Sequence, residues 1–142
     1  MPKNRSTGSP KRIRCFNFKP GTVLAGKYDV VALLGLGYEG EVYLVRERGT
    51  GIERAAKVWY PQRNPGNRAA VRYARKLHKL RHCHILIQYH THEKFAFASQ
   101  EVHVLVSEFV EGELLSDFLA RQPGRRISVF QGLHLLYALA EG

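Results

Sequence analysis

The chain has 142 residues, 44% of them hydrophobic and 11% aromatic, which suffices for one domain with a core of ordinary size and excludes a disordered composition. Its two cysteines, Cys15 and Cys83, lie far apart and form no CxxC pair, which excludes a disulfide framework and a paired thiolate metal site. The formal charge is +10, no apolar run approaches the roughly 18 residues that span a bilayer, and no apolar segment follows the basic N-terminus, so a cytoplasmic protein with no membrane partner is expected.

In chain order, residues 1 to 19 are rich in Ser, Pro, Gly and cations, with only Ile13, Phe16 and Phe18 available for packing. This composition predicts a basic mobile tail, with the domain beginning near residue 20. Seven cations (Lys3, Arg5, Lys11, Arg12, Arg14, Lys19 and Lys27) precede the first acid, Asp29. From Tyr28 the pattern becomes strand-like, with Val30, Val31, Leu33 and Leu34 leading into a glycine cluster and Val42 to Val45 following it. Gly49-Thr50-Gly51 reads as a hairpin turn, and a third strand runs from Ile52 to Tyr60, before Pro61.

Asn67 is placed to cap a helix through Leu80, in which Ala70, Val71, Ala74, Leu77 and Leu80 recur at spacings of three and four. The opposite side carries Arg68, Arg72, Arg75, Lys76 and Lys79, and no acid occurs between Glu53 and Glu93. Such a block suits the phosphates of a nucleic acid, but no stacking aromatics are interleaved with it, so a solvated helix face is the simpler reading. Strands over Ile85 to Phe97 and Val102 to Phe109 complete a five-stranded antiparallel sheet in an α+β fold. A short helix over Glu113 to Arg121, a turn at Pro123-Gly124, and a Ser128/Gln131 capping box opening a last helix close the chain.

Gly35-Leu36-Gly37-Tyr38-Glu39-Gly40 matches GxGxxG. A dinucleotide-binding turn would lead from the third glycine into a helix, whereas Glu41 to Val45 reads as a strand, so the loop joins two antiparallel strands. A glycine hairpin suits phosphates because backbone N–H groups can approach them closely. Seventeen residues after Gly40, Lys57 stands between Ala56 and Val58 on an otherwise apolar strand, where an ammonium facing a cleft would meet the same phosphates.

Gly35 to Val42 together with Ala55-Ala56-Lys57 resembles the glycine-rich loop and Ala-x-Lys strand of the eukaryotic-type (serine/threonine) protein kinase family. Leu77 and Leu80 to Ile85 are similar to the end of that family's regulatory helix, and Val104 to Gly112 resembles its fifth strand and hinge, with Ser107 as gatekeeper. The resemblance covers Lys27 to the last residue and implies a kinase N-lobe and hinge to residue 110, then the first C-lobe helices over 111–142. It further implies ATP as ligand. Gly35, Gly37 and Gly40 would cradle the phosphates with Lys57, Val42 and Ala55 would roof the adenine, backbone groups of Glu108 and Val110 would meet its edge, and Glu113 would reach the ribose.

The pattern also departs from the family. The glutamate that pairs with the lysine is replaced by Tyr73, and Glu39 at the loop tip places negative charge near a terminal phosphate unless it turns outward. Only Asp29 and Asp117 are present, neither placed for catalysis, and no catalytic loop or activation segment follows; Mg²⁺ is expected only when a C-lobe supplies the missing aspartates. The fragment is therefore expected to be truncated and noncatalytic alone, with a missing C-lobe or a partner protein covering the last helix. A noncatalytic pseudokinase or nucleotide-sensing scaffold is the alternative, followed by a basic nucleic-acid-binding protein. The densest set of possible metal ligands, His78, His82, Cys83 and His84, falls at a helix-to-strand corner with structural places of its own, and no metal is expected there.

Overall fold

The computed structural model describes residues 11–141; Lys3, Arg5 and the rest of the first ten residues lie outside it, as does Gly142. The strands are β1 (Val23–Leu24), β2 (Tyr28–Leu36), β3 (Gly40–Glu47), β4 (Glu53–Trp59), β5 (Tyr89–Phe97) and β6 (Gln100–Glu108). They form one antiparallel sheet in the order β1-β2-β3-β4-β6-β5. The sheet thus has six strands rather than the expected five, because Val23 and Leu24 pair with Asp29 and Tyr28 across a turn in which Ala25 and Gly26 both have positive φ. The helices are α1 (Arg68–Lys79), α2 (Leu115–Arg121) and α3 (Val129–Glu141).

Alternation along the strands divides the sheet into two faces. One buries Tyr43, Val45, Ala56, Val58, Val102, Val104 and Val106. Its cover is the segment expected to be a mobile tail. Ile13 and Phe16 are buried on this face, and Phe18 packs beside them against Tyr43, Phe95 and Phe97. The strap is held by polar contacts as well: the Phe16 N–H donates to Glu41 Oε1 at 2.7 Å and Gln62 Nε2 donates to the Ile13 carbonyl at 2.6 Å. Glu41 is only 1% exposed and also accepts from the Tyr43 hydroxyl and, at 2.9 Å, the Tyr60 hydroxyl. A buried carboxyl with three donors meets its desolvation cost in hydrogen bonds. Burial, reinforced by the bond to Glu41, pushes the Tyr60 phenol up to about 12.

The opposite face carries α1 at one end and an open surface at the other. The start of α1 is not capped as expected. Asn67 has φ 59° and caps nothing with its side chain; Asn64, brought back by the Pro65-Gly66 turn, accepts from the Ala69 and Ala70 N–H groups at 3.0 and 3.1 Å. The α3 capping box does form, with the Gln131 N–H on Ser128 Oγ at 3.2 Å and the Ser128 N–H on Gln131 Oε1 at 3.0 Å. None of the described residues of α3 is buried, and Val129, Phe130, Leu133, Leu136, Tyr137 and Leu139 are exposed.

Replacing Phe16 by alanine removes a ring that stacks on Phe18 and Tyr60, and is expected to cost about 3 kcal/mol in a urea melt while releasing amide-exchange protection over residues 11–18. On the open face, the His92 ring lies parallel to that of His103 with their nearest nitrogens 3.2 Å apart. Burial, then the neighbouring His103, lowers the His92 pKa below its ordinary 6.5. The unfolded chain therefore binds this proton more readily than the folded one, and stability present above about pH 6.5 is lost as pH falls toward the lowered value. His92→Gln should flatten that part of the Tm profile between pH 7.5 and 5.5, roughly the range in which histidines titrate.

Candidate functional site

Strand register brings the sequence-predicted residues to one face. Val42 pairs with Lys57 and Lys57 with Leu105; one step along, Leu44 pairs with Ala55 and Ala55 with Ser107. Val42, Ala55, Lys57, Leu105 and Ser107 thus line one side of a three-strand surface, because residues two apart on a strand share a face. Ala55 and Ser107 keep that surface low, and the glycine hairpin projects from its end.

The three glycines play different parts. A Cβ on Gly35 would meet nothing within 4 Å, and one on Gly37 would lie 3.6 Å from the Gly40 carbonyl, so the space around both is open. Gly40 is closed in: a Cβ there would fall 2.0 Å from the Val58 carbonyl oxygen. Its glycine is required by the approach of β3 to β4, whatever it does for a ligand. The hairpin is tightened by the Gly37 N–H on the Gly40 carbonyl and the Tyr60 N–H on the Glu39 carbonyl, both 2.9 Å.

Lys57 does find an acceptor. Its Nζ lies 2.6 Å from Glu39 Oε2, so Glu39 turns inward from the loop tip instead of outward. The same ammonium sits 4.0 Å from the centroid of the Trp59 ring and 5.1 Å from that of Tyr73. Tyr73, standing where the kinase resemblance places an acid, contacts the cation through its π face and packs edge-on against Trp59. Each such contact stabilises a partly exposed cation by about 0.5–1 kcal/mol but leaves its charge intact, and the carboxylate supplies the counter-charge. On the outer side of the tip, the Arg63 guanidinium covers the Tyr38 ring at 3.7 Å and donates to its hydroxyl. Sequence reasoning placed Glu39 near a terminal phosphate but not on Lys57, and passed over Trp59 and Arg63; an acid in the loop eighteen positions before the lysine was the available signal.

The connection after β6 is less completely gathered. The Glu108 N–H donates to the Gln88 carbonyl at 3.0 Å and its side chain accepts from the Gln88 N–H at 3.0 Å, which ties this residue to the segment before β5. Val110 is exposed. Glu113 is ion-paired with Arg121 of α2 and would have to leave it to reach a ribose. Asp29 pairs with Arg48 at 3.5 Å and Asp117 sits in the first turn of α2. Among the described residues, no group of three His, Cys, Asp or Glu side chains is placed to hold a metal ion.

No family model and no curated protein match the sequence. Among solved structures, the chain aligns with the PknI kinase domain of Mycobacterium tuberculosis at a TM-score of 0.64 and 24% identity, over 87% of this chain and 48% of that one. It aligns with the PF14_0431 kinase domain at a TM-score of 0.62 and 24% identity, over 75% of this chain and 31% of that one. The fold is protein-kinase-like. The kinase-like chain spans less than half of either structure, and no helix among its described residues is long and apolar enough to cross a membrane.

Alanine at Gly40 should cost about 3 kcal/mol or more by overpacking against the Val58 carbonyl. Alanine at Gly35, where the space is open, should change stability by less than about 0.5 kcal/mol in the same thermal melts.

Proposed function

We propose that this chain is the ATP-binding portion of a serine/threonine-type protein-kinase-like phosphotransferase, acting in the cytoplasm. The observation that carries the proposal is the gathering of Val42, Ala55 and Lys57 on one sheet face beneath a glycine hairpin, in a fold similar to kinase domains. Adenine fits against Val42 and Ala55, where side chains are small. Its edge would meet backbone groups of Glu108 and Val110. The open surroundings of Gly35 and Gly37 leave room for phosphates, and Lys57 holds them electrostatically once Glu39 moves aside.

When bound, ATP supplies the transferable phosphoryl group. The residues of this chain position it: the sheet face excludes water from the adenine, and the ammonium orients the phosphates. Among the described residues no donor set for Mg²⁺ is assembled, and the proposal is that the chain by itself binds ATP without transferring its phosphoryl group. Transfer would need a C-lobe, supplied by the same polypeptide or a partner protein, which would also cover the exposed apolar residues of α3.

A second reading has a specific observation behind it. Tyr73 contacts Lys57 through its ring in place of an ion pair from the helix, an arrangement suited to a noncatalytic nucleotide-sensing or pseudokinase module. Both readings require ATP binding, and an extended chain tested for turnover separates them.

Titration calorimetry with ATP, with and without Mg²⁺, should show saturable binding by the chain and no ADP formation. Lys57→Ala should weaken binding by about tenfold or more, the scale of a charge-assisted contact. Absence of ATP binding by the unsubstituted chain would refute the proposal.

A further inference from the structure

We infer that Glu39 sets how many phosphates the site accepts, because it occupies Lys57 itself. The inference rests on the nucleotide-binding reading above and concerns selectivity within that site.

The ammonium of Lys57 has three neighbours. Glu39 Oε2 lies 2.6 Å away, and the rings of Trp59 and Tyr73 cover two other directions at 4.0 and 5.1 Å. Both rings are neutral, so among the described residues Glu39 is the one carboxylate in ion-pair contact with this cation. Lys57 is 24% exposed at its side chain, so the pair is partly shielded from water.

Glu39 is also well placed to stay. Its carbonyl accepts from the Tyr60 N–H, and the Gly37 N–H closes the turn on the Gly40 carbonyl. The preceding residue, Tyr38, is drawn to the other side of the hairpin, where Arg63 covers its ring and donates to its hydroxyl. Successive residues of the tip are thus pinned to opposite cations, Tyr38 by Arg63 and Glu39 by Lys57. The hairpin is held down over the lysine without any ligand.

A phosphate arriving at Lys57 meets a carboxylate already bound there. It must expel Glu39, losing the ion pair, or share the ammonium with it, in which case like charges lie a few ångströms apart. Adenosine makes no such demand, since the adenine surface of Val42 and Ala55 lies along the strands from Lys57. Each further phosphate adds negative charge near the loop tip. The site therefore takes adenosine and AMP with little penalty and ATP with the largest one. A cation that neutralises the terminal phosphates, or one that draws Glu39 away, would lift this penalty.

The test is binding of adenosine, AMP, ADP and ATP, without Mg²⁺, to the full chain and to Glu39→Gln, which preserves size and removes charge. ATP affinity should rise by about three- to fivefold in Glu39→Gln, the upper part of the range of an exposed ion pair, with ADP gaining less. Adenosine should stay within about twofold, since it brings no charge near residue 39. The gain should shrink at about 1 M salt, where screening lengths fall to a few ångströms.

ATP binding by the unsubstituted chain that is unchanged in Glu39→Gln would overturn the inference and leave the nucleotide site standing. Equal gains for adenosine and ATP would overturn it as well, showing a general opening of the loop. If the unsubstituted chain binds no ATP, with or without Mg²⁺, the nucleotide reading itself falls and takes this inference with it.

Discussion

The register of β3 against β4 is set where the backbone at Gly40 presses on the Val58 carbonyl, a contact that admits no side chain. From that point the pairing Gly40 with Trp59, Glu41 with Val58 and Val42 with Lys57 follows by alternation, and each residue acquires its face. A slip of one residue would turn Glu41 toward the open surface and send Val42 under the strap. The buried carboxyl, its three donors, the lysine and the aromatic pair around it all depend on this one close approach.

The two faces are held by opposite kinds of chemistry. Under the strap, a continuous apolar layer is closed by Phe16 and Ile13, and Glu41 ties the strap's backbone to two tyrosine hydroxyls. This contact is directional, so it specifies where a short irregular segment must lie, which apolar burial alone does not. On the other face the cation of Lys57 is stabilised by a loop carboxylate and two rings. The counter-charge therefore rides on the element that would cover a ligand, while α1 contributes only the face of an aromatic ring.

Several features could be read directly from residues. The glycine hairpin, the lysine strand and the capping box at Ser128 are local patterns in which neighbours a few positions apart determine the geometry. Other features lacked such a pattern. Ala98 and Ser99 form the two-residue turn between β5 and β6, both with positive φ, without the glycine or asparagine that normally announces it. Asn64 caps α1 from five residues before the first N–H it accepts, across a turn, so the nearer Asn67 was the natural candidate. Ile13, Phe16 and Phe18 carry no period in a basic stretch, and their burial depends on Glu41 and Gln62, far along the chain.

By itself the sequence determined the order of elements and the alignment of Val42, Ala55 and Lys57, since strand alternation and turn chemistry act over a few residues. The tertiary structure alone decided the company that Lys57 keeps. Glu39, Trp59 and Tyr73 come from a loop, a strand and a helix, and only the folded backbone brings a carboxylate and two π faces to one ammonium. The same holds for the strap, whose place is set by a carboxyl twenty-five residues away. Electrostatic and packing energies depend on distance in space, and separation along the chain does not report it.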